Sequence, residues 1–232
     1  QTAFLKYYYP KEFMAALMTS VMDNTTKVSE YILACRNMGI PILPPDINEG
    51  YSGFSVSGNG IRYGLSAIKS VGRAVVDVII AERESGGLFK NLDDFVSRMS
   101  NKEVNKRTLE SFIKSGALDT LPGTRKQKLI VSGDLLESKS KEKKTVMEGQ
   151  MSFFDIAPEE EKDNFHITFP DVGEYDKQTL LAFEKETIGI YVSGHPMEEY
   201  RELWEKNVTA RTSDFVVDEV GKTIVEDNSN VE

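Results

Sequence analysis

The sequence predicts a mainly α-helical chain with one small β-hairpin, and three patterns support this prediction. Apolar residues recur at three- to four-residue spacing in several short stretches, which is the period of an amphipathic helix. Glycine or proline follows most of these stretches, as it does at the ends of helices. One stretch instead alternates around Ser57-Gly58-Asn59-Gly60, which is typical of two strands joined by a tight turn.

Two amphipathic helices are predicted near the start of the chain. Pro10 suits the first turn of a helix, where its missing N–H costs nothing. A second helix follows Thr25 and stops at Gly39, because glycine is common just after a helix. The apolar stripes of both helices are interpreted as core, with Cys35 as an inert thiol. These stripes consist of Phe13, Met14, Leu17, Met18, Val21, Met22, Val28, Tyr31, Ile32, Cys35 and Met38.

A β-hairpin and a run of short helices are predicted next. Residues 54–56 and 61–63 alternate in polarity and are expected to pair as a small ribbon. After the ribbon, apolar stripes alternate with residues of the kind that open or cap a helix. These helices are predicted to start at Arg73, Asn91, Asn105 and Thr124.

Composition then divides the chain into five parts. Clusters of Lys and Glu, with few apolar residues and scattered Gly and Pro, predict a flexible acidic linker over residues 134–170. Two more helices are predicted after it, at 180–191 and 196–204. The five parts are a helical part at 1–48, the hairpin with its short helices at 49–133, the linker at 134–170, a helical segment at 171–206 and a tail at 207–232.

The net charge of −9 is unevenly distributed along the chain. Residues 1–133 hold 17 Lys and Arg against 13 Asp and Glu, whereas residues 134–232 hold 11 against 24. Within the first part, a basic zone at 102–128 contains Lys102, Lys106, Arg107, Lys114, Arg125, Lys126 and Lys128. A basic zone of this kind is a weak signal for a polyanionic partner, and charge alone favours the simpler interpretation that these residues are solvated helix faces.

A short internal repeat predicts a tandem helix-hairpin-helix. Ile68-Lys69-Ser70 recurs 45 residues later as Ile113-Lys114-Ser115, each time close to a glycine and after an apolar stretch interpreted as a helix. A small residue at such a turn lets the main chain approach a ligand, and the free N–H groups that open the next helix donate to phosphate. Contacts of this kind hold the backbone of duplex DNA and read no sequence. The predicted DNA-binding residues are Lys69, Ser70, Val71, Gly72, Arg73, Lys114, Ser115 and Gly116, and the alternative is a helical protein–protein scaffold without DNA binding.

A second motif lies in the acidic linker. Gln150-Met151-Ser152-Phe153-Phe154 places two aromatic residues beside a glutamine in a region otherwise poor in apolar side chains. Such a peptide fits an apolar pocket of a partner, with the amide of Gln150 at its rim. The alternative is that Phe153 and Phe154 fold back on their own domain.

Most enzyme classes lack their signature residues in this sequence. There is no Gly-x-Ser-x-Gly, P-loop, His-Glu-x-x-His or dinucleotide glycine motif. The alternative of a hydrolase that uses His166 or His195 is disfavoured, because no acid or nucleophile lies at a sequence spacing that indicates a catalytic partner. A single cysteine excludes a cysteine-based zinc site. The chain begins at Gln1 without a signal-type segment, and no apolar run approaches 18 residues, so we expect a piece of a larger cytoplasmic protein with no membrane span.

Several ordered stretches, spread over most of residues 1–205, share a further pattern. The stretches are Gln1-Thr2-Ala3-Phe4-Leu5-Lys6, Tyr9-Pro10-Lys11-Glu12-Phe13-Met14-Ala15-Ala16, Leu43-Pro44-Pro45-Asp46-Ile47-Asn48, Gly64-Leu65-Ser66-Ala67-Ile68-Lys69-Ser70-Val71-Gly72, Asn105-Lys106-Arg107 with Gly116-Ala117-Leu118-Asp119, and the run from Glu184 to Pro196. In this order they resemble the C-family replicative polymerases, the bacterial DNA polymerase III alpha subunits.

The resemblance implies a location within a larger enzyme. Residues 1–48 would end the fingers domain, 49–133 would form the helix-hairpin-helix region, and 207–232 would lead toward an oligonucleotide-binding domain. The catalytic aspartates and their magnesium would lie upstream, so this fragment is expected to hold no catalytic residue and no cofactor. Residues 150–154 resemble the internal sliding-clamp-binding peptide of the family. The implied partners are therefore duplex DNA, the sliding clamp and the rest of the polymerase III holoenzyme.

Two departures from the usual helix-hairpin-helix pattern rank the two turns. Such turns usually read glycine, apolar, glycine, whereas the first copy reads Ser70-Val71-Gly72. The helix after the second copy starts late, beyond Pro122 and Gly123. The first turn is therefore expected to contact phosphate and the second to be mainly structural.

Overall fold

The computed structural model describes residues 1–99, 104–147, 168–209, 215–217 and 223–225. It divides into two compact units, residues 1–193 and residues 194–232. The first unit is mainly helical with one small sheet, as the sequence predicts.

The first unit opens with three helices, α1 (Thr2–Tyr8), α2 (Pro10–Ser20) and α3 (Thr25–Asn37). Helices α2 and α3 lie where the apolar stripes predict them, whereas α1 is additional and buries none of its residues. The first core cluster consists of Met14, Ala15, Met18, Val28, Ile32, Cys35, Ile40, Phe54, Ile61, Tyr63, Ile188 and Ile190. Burial raises the pKa of Cys35 to about 11, so this thiol stays protonated at neutral pH.

A three-stranded sheet follows, with the order β1-β3-β2. Strands β2 (Ser55–Ser57) and β3 (Gly60–Arg62) pair antiparallel around Gly58 and Asn59, which confirms the predicted hairpin. Strand β1 (Ile42–Leu43) pairs parallel to β3 and is not predicted, because two residues between prolines carry no strand pattern.

Four helices form the second core cluster. They are α4 (Arg73–Gly86), α5 (Leu92–Met99), α6 (Lys106–Lys114) and α7 (Arg125–Met147). The predicted caps are confirmed, since Asn91 accepts the Asp94 N–H at 2.8 Å and Asn105 accepts the Thr108 N–H at 3.0 Å. The buried side chains of this core include Phe89, Leu92, Phe95, Met99, Leu109, Phe112 and Ile113.

The predicted linker begins too early. Helix α7 continues to Met147, so residues 134–147 are helical rather than a loop. Their Lys and Glu residues are good helix formers, and Lys139 forms an ion pair with Asp93 of α5 at 3.3 Å. The pentapeptide Gln150-Met151-Ser152-Phe153-Phe154 and His166 lie outside the described residues.

The chain after the linker contributes one more helix to the first unit, α8 (Lys177–Thr187). It starts three residues before the predicted helix, because Asp176 caps it by accepting the Thr179 N–H at 2.7 Å. Glycine at 189, with φ +85°, follows its end.

The second unit contains a 3₁₀ turn (Pro196–Tyr200), helix α9 (Arg201–Asn207) and two antiparallel strands, β4 (Phe215–Val217) and β5 (Thr223–Val225). The predicted tail at 207–232 therefore includes a strand pair built from β-branched residues and Phe215. In the part of the chain that the structure describes, no helix combines the length and apolar character needed to cross a membrane.

Candidate nucleic-acid interface

The first predicted hairpin turn is shorter than the sequence suggests. A single 3₁₀ turn (Leu65–Ala67), rather than a full apolar helix, leads into it. Only Tyr63 and Gly64 separate this turn from β3, and Gly64 is packed so tightly that a Cβ would lie 2.7 Å from the Gly53 carbonyl carbon. There is no room for a longer helix, so the predicted lead-in helix is wrong.

The main chain of the turn adopts a glycine-like conformation at Ser70. Its φ is +66°, which is uncommon for a residue with a side chain. Serine therefore takes the position where the usual pattern has glycine. The sequence predicts a free amide at Val71, and this prediction is wrong. The Val71 N–H donates to the Ile68 carbonyl at 3.2 Å, and the Val71 side chain is buried.

Helix α4 begins without a cap. Gly72 occupies the N-cap position and has no side chain to accept the first amides. Among the hydrogen bonds of the described residues, none uses the N–H groups of Gly72, Arg73, Ala74 or Val75. Gly72, Arg73 and Ala74 are exposed, so these donors face solvent at the positive end of the helix dipole.

The fold does not require glycine at this position. The φ of Gly72 is −79°, which any residue adopts, and a Cβ added there would meet nothing within 4 Å. A capping residue such as Asp or Ser would favour helix formation more than glycine does. Glycine at this position leaves the first N–H groups of α4 without a capping acceptor and accessible to a ligand.

A cleft of about 720 Å³ lies beside the first turn and extends along helix α6. The Thr108 hydroxyl joins the two elements by donating to the Ser70 carbonyl at 3.4 Å. Four cations line the cleft together with two acids. They are Lys69, Lys106, Arg107 and Lys114, with Glu110 and Glu186.

Lys106 and Arg107 were not predicted as site residues. Both are exposed at the first turn of α6, and within the described ranges neither forms an ion pair. Cations at a helix N-terminus oppose the helix dipole, so this placement costs stability. The signal that identifies them is two basic residues directly after the Asn105 cap.

The second turn is closed to a ligand. The Ser115 N–H donates to the Ser111 carbonyl and its hydroxyl to the Phe112 carbonyl, both at 3.0 Å, and the residue is fully buried. The Gly116 N–H donates to the Ile113 carbonyl at 3.1 Å. The geometry does not support phosphate contacts by Ser115 and Gly116, because their amides are already bonded.

Two cations of the basic zone hold this second turn together instead of facing solvent. Arg125 contacts Asp119 at 2.6 Å and donates to the Lys114 carbonyl at 3.1 Å. Lys128 is fully buried and donates to the carbonyls of Leu118 and Leu121 at 2.7 and 2.8 Å. Burial lowers the pKa of Lys128. The basic zone is thus partly a structural feature.

The chain on the far side of the linker packs back onto both turns. Glu174 accepts the Arg125 and Lys126 N–H groups at 2.7 and 3.1 Å and so caps α7. The Thr187 carbonyl accepts the Lys69 N–H at 2.9 Å. This arrangement joins residues far apart in sequence, and no local pattern indicates it.

Comparison with known proteins identifies the family. The family described as a helix-hairpin-helix motif matches residues 39–128. The DNA polymerase III subunit alpha of Vibrio cholerae is 41% identical over 92% of this chain, that of Escherichia coli K12 is 40% identical over 97%, and that of Thermus aquaticus is 43% identical over 88%. The chain belongs to the DNA polymerase III alpha-subunit family. It spans 18%, 19% and 16% of the length of these three relatives, so it corresponds to a segment of an alpha subunit.

In the described part of this alpha-subunit segment, no three His, Cys, Asp or Glu side chains are grouped as metal ligands. His195 caps the 3₁₀ turn, where its Nδ1 accepts the Met197 N–H at 3.1 Å. This contact gives His195 a structural role at the start of the turn.

Proposed function

We propose that this segment of an alpha subunit binds duplex DNA, and that the first hairpin turn, before Arg73, contacts the backbone phosphates. The bare start of α4, where Gly72 leaves four amides without partners, is the observation that carries the proposal. The membership in a replicative polymerase family and the helix-hairpin-helix match support it. The segment supplies binding and positioning, and the chemistry belongs to other parts of the subunit.

The first turn provides two kinds of phosphate contact. The amides of Gly72, Arg73 and Ala74 donate hydrogen bonds to phosphate oxygens, and the helix dipole favours the anion. The side chains of Lys69 and Arg73, both exposed, add positive charge on either side of the turn. Neither contact reads a base, so binding is independent of sequence.

The neighbouring cleft extends the contact along the duplex. Lys106 and Arg107 face the same cleft as Lys69 and are proposed to neutralise further phosphates. Lys114 is the only residue of the second turn that we retain as a DNA contact, because its side chain reaches this cleft whereas Ser115 and Gly116 are buried.

Duplex binding is expected to weaken steeply with salt. Each neutralised phosphate contributes about −0.9 to the slope of log affinity against log salt concentration. The double variant Lys69→Ala/Arg73→Ala should bind about tenfold more weakly than the parent chain and lower the steepness of that slope by about 2. Fluorescence anisotropy with two duplexes of unrelated sequence, between about 50 and 200 mM salt, measures both quantities.

The control for this experiment removes the same charge elsewhere. Lys27 and Lys90 are exposed and do not line the cleft, so Lys27→Ala/Lys90→Ala should change the affinity less than about twofold. Equal losses in both double variants, or an affinity indifferent to salt, would contradict the proposal.

We also propose that Gln150-Met151-Ser152-Phe153-Phe154 tethers the subunit to its sliding clamp. The support is the resemblance of this peptide to the clamp-binding peptide of the family and its position three residues after α7. Helix α7 has 23 residues and is therefore about 34 Å long. The chain re-enters the described part at the base of α7, where Gln127 donates to the Pro170 carbonyl at 2.9 Å.

Removing the two aromatic anchors is expected to abolish clamp binding. Phe153→Ala/Phe154→Ala in the 232-residue chain takes away the side chains on which such a peptide interface depends. Surface plasmon resonance on immobilised clamp measures the loss, and Phe165→Ala, an aromatic of the same stretch outside the motif, serves as control. Unchanged binding of the double variant would remove the clamp from the proposal.

We also propose that helix α1 contacts other parts of the polymerase III holoenzyme. Phe4, Tyr7 and Tyr8 are exposed on this helix, and the whole helix buries no residue within the described chain. Exposed aromatic clusters mark interaction surfaces. This observation favours an additional scaffold role for residues 2–8.

A further inference from the structure

The cleft beside the first turn contains an ion pair between its two walls. Lys114 on α6 and Glu186 on α8 approach to 3.1 Å between Nζ and Oε1, and to 3.3 Å between Nζ and Oε2. The Lys114 ammonium also lies 5.3 Å from the centre of the Phe183 ring. In the described chain, Lys114 is the one cation of the cleft with an acidic partner at this distance.

This pair reduces the attraction of the cleft for a phosphate. The carboxylate of Glu186 offsets the positive charge of Lys114 and occupies the side of the ammonium that a phosphate would contact. The Glu186 side chain is 60% exposed and that of Lys114 is 25% exposed. A pair this open to water is weak, so a phosphate oxygen competes effectively with the carboxylate.

We propose that Glu186 is a built-in competitor for the DNA phosphate. In the free chain its carboxylate occupies the place on Lys114 that a phosphate takes in the complex, and it thereby lowers the affinity for DNA. The proposal rests on the proposed DNA-binding function. It gives α8, the helix after the linker, a role in setting the affinity for DNA. Thr187, the residue after Glu186 in this helix, also accepts the Lys69 N–H at 2.9 Å through its carbonyl.

Removing the competitor should strengthen DNA binding. The variant Glu186→Gln is expected to bind duplex DNA about threefold more tightly than the control Glu30→Gln at about 50 mM salt. Its salt dependence should be steeper by up to about 0.9, because no carboxylate is then set free on binding to take up a cation and cancel part of the counterion release. Glu30 is exposed on α3 and away from the cleft, so both variants change the net charge equally.

A double variant ties the effect to Lys114. In Lys114→Gln/Glu186→Gln the gain in affinity and the steeper salt dependence should both disappear. A Glu186→Gln affinity equal to that of Glu30→Gln would overturn the inference while leaving the proposed function intact, provided that Lys69→Ala/Arg73→Ala still weakens binding. Absence of duplex binding by the parent chain and by Glu186→Gln alike would overturn both.

Discussion

The variant Gly72→Asp is expected to melt at a higher temperature than the parent chain and to bind duplex DNA at least about tenfold more weakly. An aspartate at the N-cap of α4 accepts the free amides at N2 and N3, Ala74 and Val75, and its charge suits the helix dipole. Capping adds a few tenths of a kcal/mol over glycine and the charge at the helix dipole adds roughly 0.3–1 kcal/mol, so the total gain is about 1 kcal/mol at most, or up to roughly 4 °C for a chain of this size. The open space at this position admits the new side chain without a clash.

The opposite signs of the two effects make this variant informative. The aspartate occupies the Ala74 amide, one of those proposed to bind phosphate, and its carboxylate repels the anion. A mutation that merely damaged the fold would lower stability and binding together. Thermal unfolding by circular dichroism and DNA binding by anisotropy give the two readings.

The control for Gly72→Asp is Asn24→Asp at the start of α3. Asn24 already caps that helix by accepting the Lys27 N–H at 3.1 Å, so the substitution adds the same charge to another N-cap. Its DNA affinity should remain within about twofold of the parent value. If Gly72→Asp binds DNA as well as Asn24→Asp does, the start of α4 is not the phosphate site.

Replacing Glu184 by Ala is expected to lower the free energy of unfolding by about 3 kcal/mol. Glu184 is only 1% exposed, and its Oε2 accepts the Val192 and Ser193 N–H groups at 3.0 Å each. Its Oε1 lies 3.5 Å from Arg125 Nη2, and the neighbouring carboxylates raise the pKa of Arg125. The truncation takes the acceptor from the Val192 and Ser193 N–H groups, removes one carboxylate beside Arg125 and weakens the contact between α8 and the second turn.

Thermal and urea unfolding of the Glu184→Ala chain measure the effect. A loss of 3 kcal/mol corresponds to a fall in melting temperature of roughly 6–12 °C. Glu186→Ala, two residues along the same helix, removes only an exposed pair and should cost no more than about 1 kcal/mol. Similar losses in the two variants would show that the buried carboxylate has no special role.

Local structure was largely predictable because its causes are local. Asn91 and Asn105 cap helices that begin within three residues of them, and Gly39 ends the helix directly before it. Each of these features depends on one side chain and the next turn of main chain. The β-hairpin follows in the same way from the short turn at Gly58 and Asn59.

The errors concern features that depend on distant residues. The repeat at Ile68 and Ile113 placed Ser115 and Gly116 among the predicted DNA contacts, but the second turn is closed by Arg125 and the buried Lys128. The charges of residues 102–128 look uniform along the sequence. Their division into cleft-lining and buried cations arises from how α6, α7 and α8 pack.

The amino-acid sequence by itself determined the family, the mainly helical class, the positions of most helices and the choice of the first turn as the proposed phosphate site. Only the tertiary structure decided which amides are free, since the Val71 amide is bonded whereas those of Gly72 to Val75 are not. It also brought Lys69, Lys106 and Lys114 to one cleft with Glu186. The physical reason is that helix formation depends on neighbours within about one turn, whereas exposure and pairing of a polar group depend on whatever the folded chain places beside it.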